Sequence, residues 1–284
     1  MEQKGIEYSM SFCFVRAVAF YTPLVFPAAS WFRGCRVLRI DLNADIGEGC
    51  GFDAAIIGLI TSASVAAGLH AGGPTVMRET IRLARTHGVA IGAHPGFADR
   101  DGFGRRELSL SVAEVEDLVL YQVAAVAGVA AVEGVRMQHV KPHGALYNMA
   151  ARERTLADAI GRAVAGFDRS LILFAPHGSA LVAAGRAAGL RVVAEGFADR
   201  AYQPDGTLAP RSIPGAVIEE VDEVVSRALR MAKDRSVSAI DGSLVPLEVE
   251  TICVHGDTSG CDHLAAALRA GLEAAGISVK APTA

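Results

Sequence analysis

Short apolar runs alternate with segments of helical periodicity along most of the chain. In residues 74–87 apolar side chains recur every third or fourth position, and residues 89–93 form the apolar run that follows. This alternation of strand and helix recurs about seven times, without a Ser- or Pro-rich linker between the units. The order predicts a parallel α/β fold, either a barrel or an open doubly wound sheet.

Polar loops follow nearly every predicted strand, as in residues 96–111 and 197–211. An open sheet would concentrate such loops at one switch point, whereas a barrel carries one after each strand. The sequence therefore favours an irregular (β/α) barrel of about seven strands. This barrel is expected to be a single catalytic domain over residues 37–284.

Residues 1–36 precede the first clean strand and are interpreted as an N-terminal extension. Arg16, Pro23 and Pro27 interrupt its apolar run, which argues against a membrane span. Small residues at 28–30 resemble a signal-peptidase site, but the charged region that begins a signal sequence is weak. We favour a misplaced start codon, with a disordered extension as the alternative.

Histidines mark the ends of the predicted strands. Five of the eight histidines lie at such ends, and each is followed by a glycine either directly or after one intervening residue. In a parallel α/β fold the carboxyl ends of the strands share one face, where catalytic groups gather. These five residues are His70, His94, His143, His177 and His255.

The segment 135–148, VRMQHVKPHGALYN, carries the densest set of polar groups. It begins as an apolar, β-branched run and ends in a predicted turn that holds Lys141, His143, Tyr147 and Asn148. One strand thus delivers four polar side chains to its carboxyl end. This arrangement is typical of an active site.

Composition narrows the class of ligand and the compartment. The chain is 51% hydrophobic with a net charge of −4, so no electrostatic feature favours nucleic acid or an anionic membrane as partner. Its five cysteines form no CxxC pair, which argues against a disulfide framework and a cysteine zinc site and favours a reducing cytoplasm. No GxxxxGK[ST] motif occurs, so a bound ATP would need another kind of phosphate site.

Seven collinear segments resemble the LamB/YcsF family, also called the family of 5-oxoprolinase A subunits. The resemblance runs from about residue 39 to residue 276. The segments are IDLNADIGE (40–48), HAGGPTVMR (70–78), GVAIGAHPGF (88–97), GFGRR (102–106), QHVKPHGALYN (138–148), FADRAYQPDGTL (197–208) and ICVHGD (252–257).

The resemblance implies a barrel related to the glycoside hydrolase/deacetylase superfamily. It also implies an activity: ATP-dependent opening of the lactam 5-oxoproline to glutamate, together with subunits B and C. Such a site needs a base for water, cations for phosphate and carboxylate, and an acid for the departing nitrogen. The candidate catalytic residues are Asp45, Glu48, His70, His94, Lys141, His143, His255 and Asp257. The candidate substrate-binding residues are Asn43, Arg106, Tyr147, Asn148, Tyr202, Asp205 and Arg211.

The sequence leaves open a metal site and two functions other than the ATP-dependent lactamase. Asp45, His70 and His94 come from three successive strand ends and could hold a catalytic divalent metal. A metal-dependent deacetylase or amidohydrolase that acts alone is therefore a second hypothesis, and a non-catalytic lactam-binding subunit is a third. A homo-oligomer is compatible with each. His177 departs from the family pattern and is left out of the site.

Overall fold

The computed structural model describes residues 38–255 and 260–283. Strands and helices alternate along these residues. The strands are β1 (Arg39–Ile46), β2 (Ser62–Ala66), β3 (Ala90–His94), β4 (Met137–Val140), β5 (Ile172–Pro176), β6 (Arg191–Phe197), β7 (Ser236–Ser238), β8 (Leu244–Pro246), β9 (Thr251–Cys253) and β10 (Ser278–Val279). The helices are α1 (Asp53–Ile56), α2 (Pro74–Thr86), α3 (Val112–Val132), α4 (Gly144–Arg152), α5 (Arg154–Phe167), α6 (Ala180–Ala187), α7 (Val221–Asp234) and α8 (Cys261–Ala274).

Seven parallel strands close into a barrel. β1 pairs with β2 on one side and with β9 on the other, and the circle continues through β3, β4, β5 and β6. The closing registers set Asp41 beside Thr251 and Asn43 beside Ser62. β10 extends the sheet beside the start of β1, and β7 and β8 form a separate antiparallel pair. The predicted barrel of about seven strands is thereby confirmed.

Along β1 the face turned into the barrel is polar and the face turned toward the helices is apolar. Successive residues of a strand point to opposite faces. Along β1, Leu42, Ala44 and Ile46 join the hydrophobic core, whereas Asp41 and Asn43 are buried and bond to side chains of neighbouring strands. The fold therefore supplies a buried polar column that leads toward the carboxyl ends of the strands.

Helix α3 shows how local sequence places an element. Ser111 accepts a hydrogen bond from the Glu114 amide while the Glu114 carboxylate accepts one from the Ser111 amide, and the two bonds form a capping box. Val115, Val119 and Val123 are fully buried. Among the described residues, α3 is the one helix whose length and composition would allow a membrane crossing, and a third of that window is buried.

Two segments differ from the sequence predictions. The predicted turn, which holds residues from Lys141 to Asn148, gives way after His143 to helix α4, and Gly144 at the start of this helix has a positive φ of 51° that suits glycine. The segment before β9, for which the sequence indicates no regular element, contains the β7 and β8 pair. The interpretation of residues 1–36 lies outside the described residues and stays a prediction.

Candidate active site

One cavity lies at the carboxyl ends of the barrel strands. It has a volume of about 1080 Å³. Asp45 near the end of β1, His94 at the end of β3, Lys141 after β4 and His255 after β9 all line it. Because parallel strands end on the same face, residues distant in sequence meet there as predicted.

Glu48 and three histidines form the tightest polar cluster on this face. The Glu48 Oε1 atom lies 3.2 Å from His70 Nε2, 3.8 Å from His94 Nε2 and 3.3 Å from His143 Nδ1. The four candidate ligand atoms lie within 4.8 Å of one another. These residues, Glu48, His70, His94 and His143, could hold a metal ion.

Backbone carbonyls orient two of these rings. His94 Nδ1 lies 2.7 Å from the carbonyl oxygen of Lys141, and His143 Nε2 lies 2.8 Å from that of Phe103. A carbonyl oxygen only accepts hydrogen bonds, so both nitrogens are assigned a hydrogen. His94 Nε2 and His143 Nδ1 then face each other at 2.9 Å, an approach that needs a proton or a cation between the two nitrogens.

The local charge fits a divalent cation. Asp45 and Glu195 each contact the ammonium of Lys141, and Glu48 adds a third carboxylate beside the histidines. His70 turns its Nε2 atom toward Glu48, so this nitrogen is its candidate ligand atom. Imidazole and carboxylate ligands suit zinc and related divalent ions, which would also offset the excess negative charge.

The histidines of the cluster differ in their readiness to carry a proton. Burial and the charge of His94 lower the pKa of both His70 and His143 to about 3. Burial also opposes the charged form of His94, but the charge of Asp45, 3.3 Å away, outweighs it and raises the pKa of His94. At neutral pH, His70 and His143 therefore offer lone pairs.

Lys141 is the buried cation at the centre of the site. Its Nζ atom lies 3.0 Å from Asp45 Oδ1, 2.8 Å from Glu195 Oε1, 3.0 Å from Asn43 Oδ1 and 3.2 Å from Cys253 Sγ. Burial disfavours its charge, but the two carboxylates outweigh this effect and raise the pKa of Lys141 well above its usual range. The ammonium is therefore fixed and charged beside the cavity.

Glu195 links Lys141 to the cavity wall contributed by α4. Its Oε1 atom also accepts a 2.8 Å hydrogen bond from Asn43 Nδ2, and its Oε2 atom accepts one from the Tyr147 hydroxyl. Burial and the adjacent carboxylate raise the pKa of Tyr147 well above its usual range, so this hydroxyl keeps its proton. These bonds hold the Glu195 carboxylate that contacts Lys141.

A second histidine–carboxylate contact lies on another wall of the cavity. His255 Nδ1 is 2.5 Å from Asp199 Oδ2, and His255 Nε2 is 3.1 Å from Arg211 Nη2. The His255 ring stacks on Phe197 with a centroid separation of 5.9 Å. Both ring nitrogens of His255 are thus engaged by charged partners.

Most residues predicted for the site reach this cavity or its inner wall. His70 belongs to the histidine cluster, and buried Asn43 supports Lys141 from behind. Tyr202 lies on the wall with its hydroxyl accepting a hydrogen bond from the Phe197 amide. The predicted residues that line the cavity are Asp45, Glu48, His94, Lys141, His143, Tyr147, Asn148, Tyr202, Asp205, Arg211 and His255.

Three further predicted residues lie outside the cavity, outside the four-residue cluster or outside the described part of the chain. Arg106 is bound by Asp99 through its guanidinium and does not line the cavity, so this geometry does not support a substrate clamp there. Asp45 contacts His94 but is not part of the four-residue group, which contains Glu48 and His143 instead. Asp257 lies outside the described residues.

Glu195 and Asp199 were not predicted as site residues, and His177, which was left out of the predicted site, lines the cavity. Glu195 is an acid inside the apolar strand RVVAEGF, and such a residue usually signals a buried partner. Asp199 lies two residues beyond that strand, in the polar loop predicted over residues 197–211. The residues next to Glu195 in sequence give no sign that its partner is the ammonium of Lys141.

The fold and the site together define a (β/α) barrel of the enzymatic kind, with its reactive groups at the carboxyl ends of the strands. The chain belongs to the LamB/YcsF family, whose family model matches residues 40–284.

Relatives and a solved structure agree with this assignment. The A subunit of 5-oxoprolinase from Symbiobacterium thermophilum is 53% identical over 87% of this chain and 96% of its own length. Its counterpart from Methylococcus capsulatus is 53% identical over 85% of this chain and 95% of its own. The lactam utilization protein from Thermus thermophilus superposes with a TM-score of 0.82 at 47% identity, covering 86% of this chain and all of that one.

Proposed function

We propose that this chain is the A subunit of an ATP-dependent 5-oxoprolinase, acting with B and C subunits in the cytoplasm to open 5-oxoproline to glutamate. The observation that carries the proposal is the fixed ammonium of Lys141, held between Asp45 and Glu195 beside a cavity that also exposes histidines. A buried cation next to acid and base groups is what acyl chemistry on a stable amide requires. The names of the relatives support the choice of a lactam.

The chemistry needs activation before hydrolysis, because a five-membered lactam is a resonance-stabilised amide. Phosphoryl transfer from ATP to the lactam oxygen forms an O–P bond, releases ADP and frees the proton of the ring nitrogen. Water then adds to the ring carbon, and the C–N bond breaks to give an acyl phosphate. A second water converts this to glutamate and phosphate.

Residues of this chain fit distinct steps of that reaction. The Lys141 ammonium stabilises negative charge that develops on the lactam oxygen. Asp45 exposes 22% of its side chain to the cavity and is placed to accept the proton of the attacking water. Tyr147 and Glu195 keep Lys141 in place.

The cavity is large enough for a co-substrate. A five-membered lactam fills only a small part of about 1080 Å³, and the remaining wall carries cationic side chains. Guanidinium groups bind phosphate in the absence of a P-loop. The arginines on this wall are Arg105, Arg152, Arg200 and Arg211.

A divalent metal belongs to the same proposal. Glu48, His70, His94 and His143 would hold it, and it would supply Lewis-acid polarisation beside Lys141. Isothermal titration of zinc into metal-stripped protein tests this, with loss of high-affinity binding expected for Glu48→Gln. The matched control is Glu248→Gln on an exposed side chain, which should bind as the wild type does.

The decisive experiment measures 5-oxoproline-dependent ATP hydrolysis and glutamate release by the chain alone and with its B and C subunits. Activity only in the assembly is expected, with its loss in Lys141→Ala and Asp45→Asn. Glutamate release by the chain alone without ATP would favour the stand-alone hydrolase. Full activity in both variants would refute the assigned roles.

A further inference from the structure

His255 and Asp199 form an acid–base pair that the histidine cluster does not require. Neither residue belongs to the group of Glu48 with three histidines. His255, after β9, lines the cavity, and Asp199 lies behind it in the loop after β6. The contact of 2.5 Å between His255 Nδ1 and Asp199 Oδ2 assigns the Nδ1 hydrogen and fixes the plane of the ring. Nε2, which Arg211 contacts, is then the nitrogen that can exchange a proton once that contact is broken.

The surroundings of the pair suit a proton donor. Burial opposes a charge on His255, but the Asp199 carboxylate outweighs it and raises the pKa of His255. The charged groups that act on His255 are Asp199, Arg211 and, more weakly, Asp45, while Arg200 acts on Asp199. Asp199 is itself buried, and its second oxygen has no hydrogen-bond partner, so its charge is directed at the imidazole.

The contact with Arg211 indicates the protonation state of His255 Nε2. A guanidinium donates hydrogen bonds and cannot accept them. Its contact of 3.1 Å with His255 Nε2 therefore requires an Nε2 without a proton. Arg211 is exposed and follows Pro210 in a loop on the cavity wall, where an incoming carboxylate can draw its guanidinium away.

We propose that His255, positioned by Asp199, is the acid that protonates the departing ring nitrogen, and that Arg211 releases Nε2 when it binds the substrate carboxylate. This inference rests on the proposed function. It makes Asp199 a positioning residue and couples the binding of the substrate carboxylate to the protonation of His255 Nε2.

The proton that His255 donates comes from solvent. With Arg211 on the carboxylate, Nε2 takes a proton from solvent and the imidazole becomes an imidazolium paired with Asp199. When the C–N bond of the tetrahedral intermediate breaks, its electron pair stays on nitrogen and the Nε2 proton forms the new N–H bond. His255 returns to the neutral state, which Arg211 can contact again.

Kinetics of the assembled enzyme test the acid role. His255→Gln should lower kcat by roughly 10²-fold or more, the usual contribution of a general acid. Asp199→Asn keeps an acceptor for Nδ1 but removes the charge, so the basic limb of the kcat profile should move to lower pH by about one unit. The KM for 5-oxoproline should change little in both variants.

Histidine NMR on the chain alone tests the coupling. The ¹³Cε1 signal of His255, identified by its absence in His255→Gln, should titrate at lower pH in Asp199→Asn. It should titrate at higher pH in Arg211→Met, and likewise in the wild type after 5-oxoproline is added. A structural role for Asp199 alone would lower stability without moving these titrations in opposite directions.

Matched controls are His263→Gln and Asp241→Asn, which make the same changes on exposed side chains of α8 and of the turn between β7 and β8. If the wild-type assembly turns over 5-oxoproline and the His255 and Asp199 variants behave like these controls, the acid assignment is overturned while the proposed function stands. If the wild-type assembly does not turn over 5-oxoproline, both are overturned.

Discussion

Asp41 ties the stability of the barrel to pH. Its side chain is buried inside the barrel and accepts hydrogen bonds from the hydroxyls of Thr61, Ser62 and Thr251. Burial raises the pKa of Asp41 from its ordinary value near 3.8 to about 6, and these three hydrogen bonds only partly oppose the rise. The folded state therefore binds this proton more tightly than the unfolded chain does.

The sign of the linkage follows from the raised pKa. Protonated Asp41 favours folding, so its contribution is lost as pH rises from about 4 through 6 and is absent above that range. At 1.36 kcal/mol per pH unit, the complete change corresponds to about 3 kcal/mol. Between pH 5 and pH 7.5, roughly half of that change should be observed.

Asp41→Asn removes this titration, because an amide is neutral at every pH. Urea denaturation of wild type and variant at pH 5 and pH 7.5 measures the effect. Between the two pH values, the free energy of unfolding of the wild type should fall by about 1–1.5 kcal/mol more than that of the variant. A constant difference in stability between the two proteins does not affect this comparison. Asp241→Asn, on an exposed turn, should follow the wild type. Parallel pH dependence of wild type and Asp41→Asn would refute the reasoning.

Three further variants probe other parts of the molecule. Lys141→Met leaves buried Glu195 without its cation and should cost about 3–5 kcal/mol in urea denaturation, with partial recovery when Glu195→Gln is added. Without that recovery, the ion pair would not be the cause. Arg106→Ala should leave the KM for 5-oxoproline near that of the wild type, because Asp99 and not the cavity holds this guanidinium, and a KM rise above tenfold would contradict the geometry. Ser111→Ala removes the cap of α3 and should lower stability by about 1 kcal/mol in thermal denaturation, whereas an unchanged midpoint would show that the capping box contributes nothing.

The sequence was sufficient for the barrel because its signals are local. Periodicity located α2 nearly to the residue, since the predicted helix covers residues 74–87 and the observed one Pro74–Thr86. The position of each histidine at a strand end also needed only local patterns. Since parallel strands end on one face, these local predictions place most of the candidate residues around one cavity.

What the sequence could not supply was pairing between distant residues. Glu195 and Lys141 are far apart along the chain, and only the closed order of strands brings the carboxylate within 2.8 Å of the ammonium. The same holds for Asp199 with His255. Helix α4 was missed because His143 and Gly144 resemble a turn, and Gly144 does have the positive φ of a turn residue at the point where the helix begins. Arg106 was predicted to bind substrate because its partner, Asp99, is not next to it in sequence, although both lie in the same loop.

The alternation along β1 has a consequence for how this barrel can evolve. Asp41, Asn43 and Asp45 alternate with Leu42, Ala44 and Ile46, so a slip of one residue would exchange every polar group with an apolar one. A misaligned β1 would press carboxylates against the helices and deprive Lys141 of its contacts with Asp45 and Asn43. The side chains that perform chemistry thus also select the correct strand alignment, and a lineage that abandoned the chemistry would have to find another way to specify its fold.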